Sequence, residues 1–163
     1  MLRGNYPATV DAKGRVKIPT AFKSHLETTF GHDFYVTSLD GQSVRIYPFS
    51  VWRDIEEKLA TLPSMNKPKR KFLDRANYWG QAVQIDGQGR ILVPSLLRES
   101  AGMQGEVAVI GYLNYLDVWN MDRFRAHLDG NPLTDDDMQA LSDLRRRPRT
   151  GRTFPANRCA TWI

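Results

Sequence analysis

The pattern of hydrophobic and polar positions predicts short strands and short helices. Apolar and polar residues alternate in residues 8–11 and 15–18, on either side of Ala12-Lys13-Gly14, and this alternation is typical of a β-hairpin. Pro19 and Thr20 then end the second strand, and the following residues predict a helix to about residue 30. The chain therefore begins with a strand, a turn, a strand and a helix.

The next segments predict a second hairpin and a helix with one apolar face. Residues 34–37 and 44–47 have the composition of strands and flank Asp40-Gly41, a frequent hairpin turn pair. Ser50 is suited to cap the helix that follows. The apolar residues on one face of that helix are Trp52, Ile55, Leu59 and Leu62. We expect this face to pack in the core or against another subunit.

Two further helices have recognisable start signals. Asn66 and Pro68 mark the beginning of a helix whose polar faces are basic. Thr134 is placed to cap another helix, and Asp137 occupies the capping-box position three residues later. Residues 145–163 contain arginine, proline and glycine with almost no periodic apolar pattern, so we expect this tail to be disordered.

One ten-residue pattern occurs twice. Residues 10–19 return as residues 85–94, a constant 75 positions later, and both copies read apolar-Asp-x-x-Gly-Arg-apolar-x-apolar-Pro. This duplication predicts two pseudo-symmetric repeats that present Arg15 and Arg90 as a pair. A unit of about 75 residues is marginal alone, so we expect both repeats to share one core.

The repeats define the predicted domain organisation. We assign residues 1–62 to the first repeat, 63–79 to a linker helix, 80–130 to the second repeat, 131–144 to a C-terminal helix and 145–163 to the arginine-rich tail.

Part of the repeated motif has a structural explanation. An aspartate beside a turn accepts amide hydrogens and a glycine adopts positive φ, so Asp11, Gly14, Asp86 and Gly89 are interpreted as turn residues. A turn does not require a long cation at Arg15. That arginine forms a salt bridge with the nearby aspartate, lies in solvent or binds an anion, and the motif alone leaves these alternatives open.

Charge is distributed unevenly along the chain. Residues 1–75 carry 13 basic and 8 acidic side chains, residues 76–144 carry 4 and 10, and residues 145–163 carry 6 arginines and no acid. Such asymmetry is expected where one half meets a polyanion or where unlike halves meet between subunits. A solvated surface without a role gives the same composition, so charge alone does not identify a partner.

No motif of a catalytic, metal-binding or membrane protein is present. His25, His32 and His127 lack the spacing of metal ligands, and there is no nucleophile elbow, phosphate loop or dinucleotide-binding pattern. Cys159 is the single cysteine, so no internal disulfide forms. No apolar run approaches membrane-spanning length, and residues 1–7 lack the core of a signal peptide. We expect a cytoplasmic protein that is not an enzyme and has no cofactor, metal or small-molecule substrate.

Several of these segments together resemble the MraZ family. They are Arg3-Gly4, the two Asp-x-x-Gly-Arg turns with their prolines, segments 39–48 and 62–66, and the paired aromatic-rich helices. The family comprises bacterial transcriptional regulators built from tandem SpoVT/AbrB-type swapped-hairpin domains. The resemblance covers about residues 1–144. It implies an α+β or mainly β fold, in which the two repeats form a pseudo-symmetric β-barrel core with short helices.

The resemblance also implies partners. It predicts a homo-oligomeric ring that binds double-stranded DNA at spaced promoter repeats and associates with the nucleoid. The expected target is the control region of the division and cell-wall gene cluster, where the protein would regulate its own expression. Mapped onto this sequence, the DNA-contacting arginine is Arg15, with Arg90 as its duplicate.

The flanking residues suggest that the two arginines are unequal. The cations near Arg15 are Lys13, Lys17 and Lys23, whereas the matching positions near Arg90 are Gln88, Leu92 and Arg98. A groove-facing β element uses arginine against guanine and lysines against phosphates. The candidate DNA contacts are therefore Arg15, Lys13, Lys17, Arg90 and Arg3.

Two other functions compete with this one. An AbrB-type antitoxin binds DNA and a toxin, although such antitoxins generally carry one hairpin module rather than two. A ring-forming structural protein without DNA binding is the third possibility.

Overall fold

The structure, a computed structural model, describes residues 1–146. Its elements are β1 (Asn5–Thr9), β2 (Arg15–Lys17), α1 (Thr20–Thr29), β3 (Asp33–Thr37), β4 (Val44–Pro48), α2 (Phe49–Ala60), α3 (Lys67–Tyr78), β5 (Gln81–Gln84), β6 (Arg90–Leu92), α4 (Ser95–Ala101), β7 (Glu106–Tyr112), β8 (Tyr115–Asn120), α5 (Met121–Gly130) and α6 (Asp135–Arg146). The described residues divide into two compact units, Met1–Arg125 and residues 126–146.

The strands of the two repeats interleave in the first unit. One sheet has six strands in the order β1-β7-β8-β4-β3-β5, and a second sheet consists of β2 and β6. All pairings are antiparallel, and every strand of the first repeat pairs with a strand of the second. Each repeat therefore supplies backbone partners that the other one lacks.

This topology corrects two expectations. Residues 8–11 and 15–18 do not form a hairpin with each other, because β1 pairs with β7 and β2 with β6, and only an isolated bridge joins Val10 to Val16. The predicted barrel is not closed either. Among the described residues, β1 and β5 each pair with a single strand of the large sheet, so that sheet has two edges.

The main core draws on equivalent positions of both repeats. Val16 and Ile18 of the first repeat pack in the same cluster as Ile91 and Val93 of the second, and all four are buried. The helices that follow add Phe22 and Leu26 from α1 and Leu97 and Ala101 from α4. Burial of one continuous apolar cluster stabilises both repeats together.

A smaller aromatic cluster buries the apolar face of α2. The Trp52 ring stacks on Tyr35 with centroids 4.6 Å apart, and Trp52 and Leu59 are only 4% and 5% exposed. The apolar face is confirmed for Trp52 and Leu59, which are buried within the chain, whereas Ile55 and Leu62 are partly buried. Ser50 does not cap this helix, because the helix already begins at Phe49. The N-cap residue is Pro48, and no side chain hydrogen-bonds to the first amides of the helix.

The caps of α3 and α6 agree with the sequence. The Lys69 amide donates to Asn66 Oδ1 at 2.9 Å at the start of α3. At the start of α6, the Asp137 amide donates to Thr134 Oγ1 and the Thr134 amide donates back to Asp137 Oδ2, which is a capping box with aspartate at its third position. The helix extends to Arg146, two residues beyond the predicted end. The remainder of the predicted tail, residues 147–163, lies outside the described residues.

Candidate nucleic-acid interface

The two repeated motifs fold into matching turns. Asp11 Oδ1 accepts the amides of Lys13 and Arg15 at 3.0 and 2.9 Å, and the Gly14 amide donates to the Asp11 carbonyl. Asp86 Oδ1 accepts the amides of Gln88 and Arg90 in the same way, at 2.9 Å each. Gly14 and Gly89 have φ of 83° and 74°, which disfavours any side chain there. Asp11, Gly14, Asp86 and Gly89 therefore occupy equivalent turn positions in the two repeats.

Each turn leads into one strand of the small two-stranded sheet, which we name the ribbon (β2 and β6). Its register places Arg15 opposite Leu92, Val16 opposite Ile91 and Lys17 opposite Arg90. The central pair, Val16 and Ile91, is fully buried. Because side chains alternate along a strand, the residues on the outer face are Arg15, Lys17, Arg90 and Leu92.

The two arginines and two aspartates form a symmetric cluster of four charges. Arg15 Nε donates to Asp11 Oδ2 at 2.8 Å, and Arg90 Nε donates to Asp86 Oδ2 at the same distance. The cross-repeat pairs are longer: Arg15 to Asp86 is 3.9 Å and Arg90 to Asp11 is 3.8 Å. The cluster therefore joins the two turns, and the salt bridge considered for Arg15 is present. A guanidinium has five N–H donors, and the short bond to aspartate uses only the one on Nε. Each arginine therefore keeps N–H groups that can donate to an incoming acceptor.

Hydrogen bonding favours the charged form of both aspartates. The pKa of Asp11 is lowered from its ordinary 3.8 chiefly by the backbone hydrogen bond from Arg15, and the pKa of Asp86 is lowered chiefly by that from Arg90. In each case the arginine side chain lowers the pKa further, while desolvation opposes the shift. At neutral pH all four groups are charged, and the cluster is neutral as a whole.

We expect acid to weaken the fold through this cluster. A lowered pKa stabilises the folded state above the ordinary value of 3.8, and this stabilisation is lost as pH falls through the folded pKa. The thermal midpoint of the wild type should therefore fall between about pH 5 and pH 3. In the double variant Asp11→Asn, Asp86→Asn, the fall should be smaller and the midpoint at pH 7 lower.

Thermal unfolding followed by circular dichroism at pH 7, 5, 4 and 3 measures both effects. Asp137→Asn is the matched control, because the pKa of Asp137 is also lowered, by hydrogen bonds from Thr134, but Asp137 lies in the second unit. An equal fall in the midpoint for the wild type and the double variant would show that the cluster does not link stability to pH.

The neighbouring cations are exchanged between the repeats. A Cβ on Gly14 would meet the Arg98 guanidinium, and one on Gly89 would lie 3.0 Å from Lys23 Cδ. Arg98 therefore lies over the first turn and Lys23 over the second. In the sequence each cation is closer to the other turn, because Lys23 follows Arg15 and Arg98 follows Arg90. The signal was present in the repeat, since Lys23 and Arg98 are also 75 positions apart. The two turns form one surface rather than a basic and an acidic site.

Of the other candidate DNA contacts, the two lysines lie beside the cluster and Arg3 does not. Lys13 and Lys17 are exposed beside the cluster. Arg3 is not brought to this surface: it precedes β1, whereas the first turn follows β1, and five strand residues span about 17 Å. Leu92 was not selected from the sequence, yet it lies on the outer face of the ribbon and is 41% exposed. An exposed leucine between cations is the feature that identifies it.

Residues 1–146 hold neither a metal-binding cluster nor a membrane-spanning helix. Between residues 1 and 146, no three His, Cys, Asp or Glu side chains are grouped so as to hold a metal ion. In the same part of the chain, no helix has the length and apolar character needed to cross a membrane.

Comparison with known proteins agrees with the duplicated architecture. The family described as "MraZ protein, putative antitoxin-like" matches residues 1–75 and 80–143. A protein named transcriptional regulator MraZ from Acidobacterium capsulatum is 48% identical over 144 residues, which cover 88% of this chain and 99% of that protein. One of the same name from Koribacter versatilis is 48% identical over 145 residues, with the same coverage. A third, from Halothermothrix orenii, is 36% identical over 129 residues, 79% of this chain and 87% of the relative. Because the family match extends over both repeats, the chain belongs to the MraZ family.

Proposed function

We propose that this protein is a sequence-specific DNA-binding transcriptional regulator that contacts DNA with the outer face of the ribbon. The observation that carries the proposal is the pairing of Arg15 and Arg90 on a two-stranded antiparallel ribbon. The major groove of B-DNA admits such a ribbon, and arginine there hydrogen-bonds to guanine O6 and N7. The relatives' name, transcriptional regulator, supports the same function.

The charges around the ribbon suit a nucleic acid. The four-charge cluster is neutral, so the surface charge comes from Lys13, Lys17 and Arg98 around it. Lys23 lies over the second turn and is paired with Glu27 at 3.9 Å. Cations of this kind neutralise phosphates and position a protein on DNA without reading sequence. The clustered aspartates hold each arginine at Nε, which fixes its orientation before DNA arrives and lowers the entropic cost of binding.

A binding assay tests this function. Fluorescence anisotropy with a labelled duplex from the region upstream of the protein's own gene should show tighter binding than with a shuffled duplex of equal length. Equal affinity for the two duplexes at physiological salt would contradict sequence-specific regulation. The proposed target is the chain's own division and cell-wall gene cluster, which the protein would regulate by autoregulatory binding to spaced repeats in the nucleoid.

We further propose that the protein assembles into a homo-oligomeric ring. The apolar face of α2 no longer supports this, and the charged halves interleave in the sheet. Support comes instead from the second unit, in which α6 has no buried residue and exposes a stripe of large apolar side chains: Met138, Leu141 and Leu144. Exposed apolar stripes of this kind mark protein contacts. Several ribbons on one ring would bind spaced DNA repeats with increased affinity.

Light scattering at micromolar concentration without DNA should give a mass above that of a dimer of the 18.6 kDa chain. Leu141→Asp should reduce that mass, because it places a charge in the stripe, whereas the exposed Gln139→Asp is the control. A wild-type mass of one chain would overturn the assembly.

The antitoxin function shares the DNA-binding surface and differs in its partner. The family description includes the term antitoxin-like, and the α6 stripe is equally suited to a toxin. Formation of an oligomer and specific DNA binding by the purified protein alone would favour the regulator. A monomer that binds DNA specifically only with a bound partner would favour the antitoxin.

A further inference from the structure

We propose that Leu92 is a specificity-determining residue that contacts the methyl group of a thymine beside the base read by Arg15. This inference deepens the proposed DNA-binding function and depends on it. It assigns a base-reading role to an apolar side chain on a face whose other members are Arg15, Lys17 and Arg90.

The backbone register brings Leu92 close to Arg15. Bonds between the two strands run from the Val93 amide to the Gly14 carbonyl and from the Ile18 amide to the Gly89 carbonyl. Because bonded pairs alternate with non-bonded ones, Arg15 and Leu92 form a non-bonded pair, the kind with the closer side chains. Their Cβ atoms are then about 5 Å apart.

That spacing matches neighbouring base pairs. Successive base pairs are separated by about 3.4 Å along the DNA axis. If the Arg15 guanidinium reaches a guanine, the Leu92 side chain lies within one or two base steps of it. The apolar group that a base edge presents in the major groove is the C5 methyl of thymine, so this is the contact that Leu92 can make.

Leu92 also makes the ribbon directional. The repeats place arginine at the first outward position of each strand, but the second outward position is Lys17 in one strand and Leu92 in the other. Arg15 therefore lies opposite an apolar side chain, and Arg90 lies opposite a cation. A ribbon with one apolar and one cationic end can distinguish the two orientations of a DNA site. A fully symmetric ribbon would bind both orientations equally.

An isolated exposed leucine needs no functional explanation. Leu92 differs from such a leucine in its position on the ribbon. The neighbouring strand residues Ile91 and Val93 are fully buried, so their apolar character is explained by the core, whereas Leu92 points away from that core and is 41% exposed. It is also on the same face as the two arginines of the repeated motif.

The contact is tested by removing single methyl groups from the DNA. Duplexes with one binding site are first enriched by the full-length wild-type protein from a random pool, and each thymine is then replaced in turn by deoxyuridine, which lacks only the methyl. We expect one thymine per site at which the wild type loses about fourfold in affinity, equivalent to the burial of one carbon group at about 0.8 kcal/mol. Leu92→Ala should bind the unmodified duplex more weakly and show no further loss at that position.

A second substitution checks the directional role. Leu92→Lys makes the two strands alike at this position, so it should abolish sensitivity to the methyl and steepen the dependence of affinity on salt. Both variants should retain sensitivity to 7-deazaguanine at the neighbouring base, because Arg15 is unchanged.

The outcomes distinguish a failure of the Leu92 contact from a failure of the proposed DNA-binding function. If the wild type enriches no sequence, the proposed function fails and this inference with it. If it binds specific duplexes but Leu92→Ala loses affinity at the same thymine as the wild type, or no thymine is sensitive, the assignment of Leu92 alone is wrong. A change in light-scattering mass in Leu92→Ala would place the residue in a subunit contact instead and would also overturn it.

Discussion

Arg15→Ala is expected to abolish sequence-specific DNA binding while the protein remains folded. The substitution removes the proposed bidentate contact with guanine from every subunit, and each such contact is worth about 1–3 kcal/mol. In an assembly that uses several ribbons the losses multiply, so specific binding should disappear into the non-specific background. Fluorescence anisotropy with the upstream duplex and its shuffled counterpart measures the loss.

Arg90→Ala is a closely matched control. Its Nε contacts Asp86 at 2.8 Å, as Arg15 contacts Asp11, and each arginine has one longer contact with the other aspartate. Loss of either arginine therefore removes equivalent charge interactions from the cluster, and thermal midpoints should fall equally. A difference in DNA binding then reports contact with DNA rather than damage to the turn.

We expect Arg90→Ala to impair specific binding less. More lysines lie near Arg15 than near Arg90 in the sequence, but the difference is smaller in the fold, because Lys17 lies opposite Arg90. The expectation now depends on Leu92, which pairs Arg15 with a second base-reading side chain and leaves Arg90 beside a phosphate-binding cation. If both variants lose specificity equally and stay folded and assembled, the two repeats are functionally equivalent.

Two further variants distinguish base contacts from phosphate contacts. Arg15→Lys keeps the charge but loses the planar fork of the guanidinium, so it should bind DNA without sequence preference. Lys13→Ala and Lys17→Ala should weaken binding to all sequences alike and lower the salt slope by about one each, as loss of a phosphate contact does. A change in sequence preference in Lys13→Ala would show that this lysine reads bases.

Local features of the fold were predictable from the sequence. The Asn66 cap, the capping box of Thr134 and Asp137, and the turns at Gly14 and Gly89 all depend on side chains that act on backbone groups within four residues. Such interactions depend on short spacings that a single sequence displays. The duplicated motif added the expectation of a paired arrangement.

Strand partners were not predictable in the same way. Alternation in residues 15–18 shows which side chains are buried, but it contains no information on which strand lies alongside. The sequence suggested β1 as the partner of β2, whereas β6, about 75 residues away, takes that place. The exchange of Lys23 and Arg98 between the turns follows from that pairing: the sequence shows their 75-residue spacing, but not which turn each side chain contacts.

The interleaved sheet leads to a second large effect: residues 1–75 alone should not fold. In that fragment β1 loses β7, β2 loses β6 and β4 loses β8, so β3 with β4 is the one strand pairing of the two sheets that survives. The exposed strand edges would pair between chains. The fragment should therefore be unfolded or aggregated, without a cooperative thermal transition.

The core gives an independent reason for this result. Val16 and Ile18 would lose Ile91, Val93 and Leu97 from the second repeat, all of which are buried in the same cluster. A chain of about 75 residues buries too little surface to offset the loss. Circular dichroism and size-exclusion chromatography of fragment 1–75, with residues 1–146 as the cooperative control, measure the outcome. A soluble monomer of the fragment that melts cooperatively would show that the first repeat has a core of its own. The first repeat would then fold before β2 pairs with β6, and the prediction would be wrong.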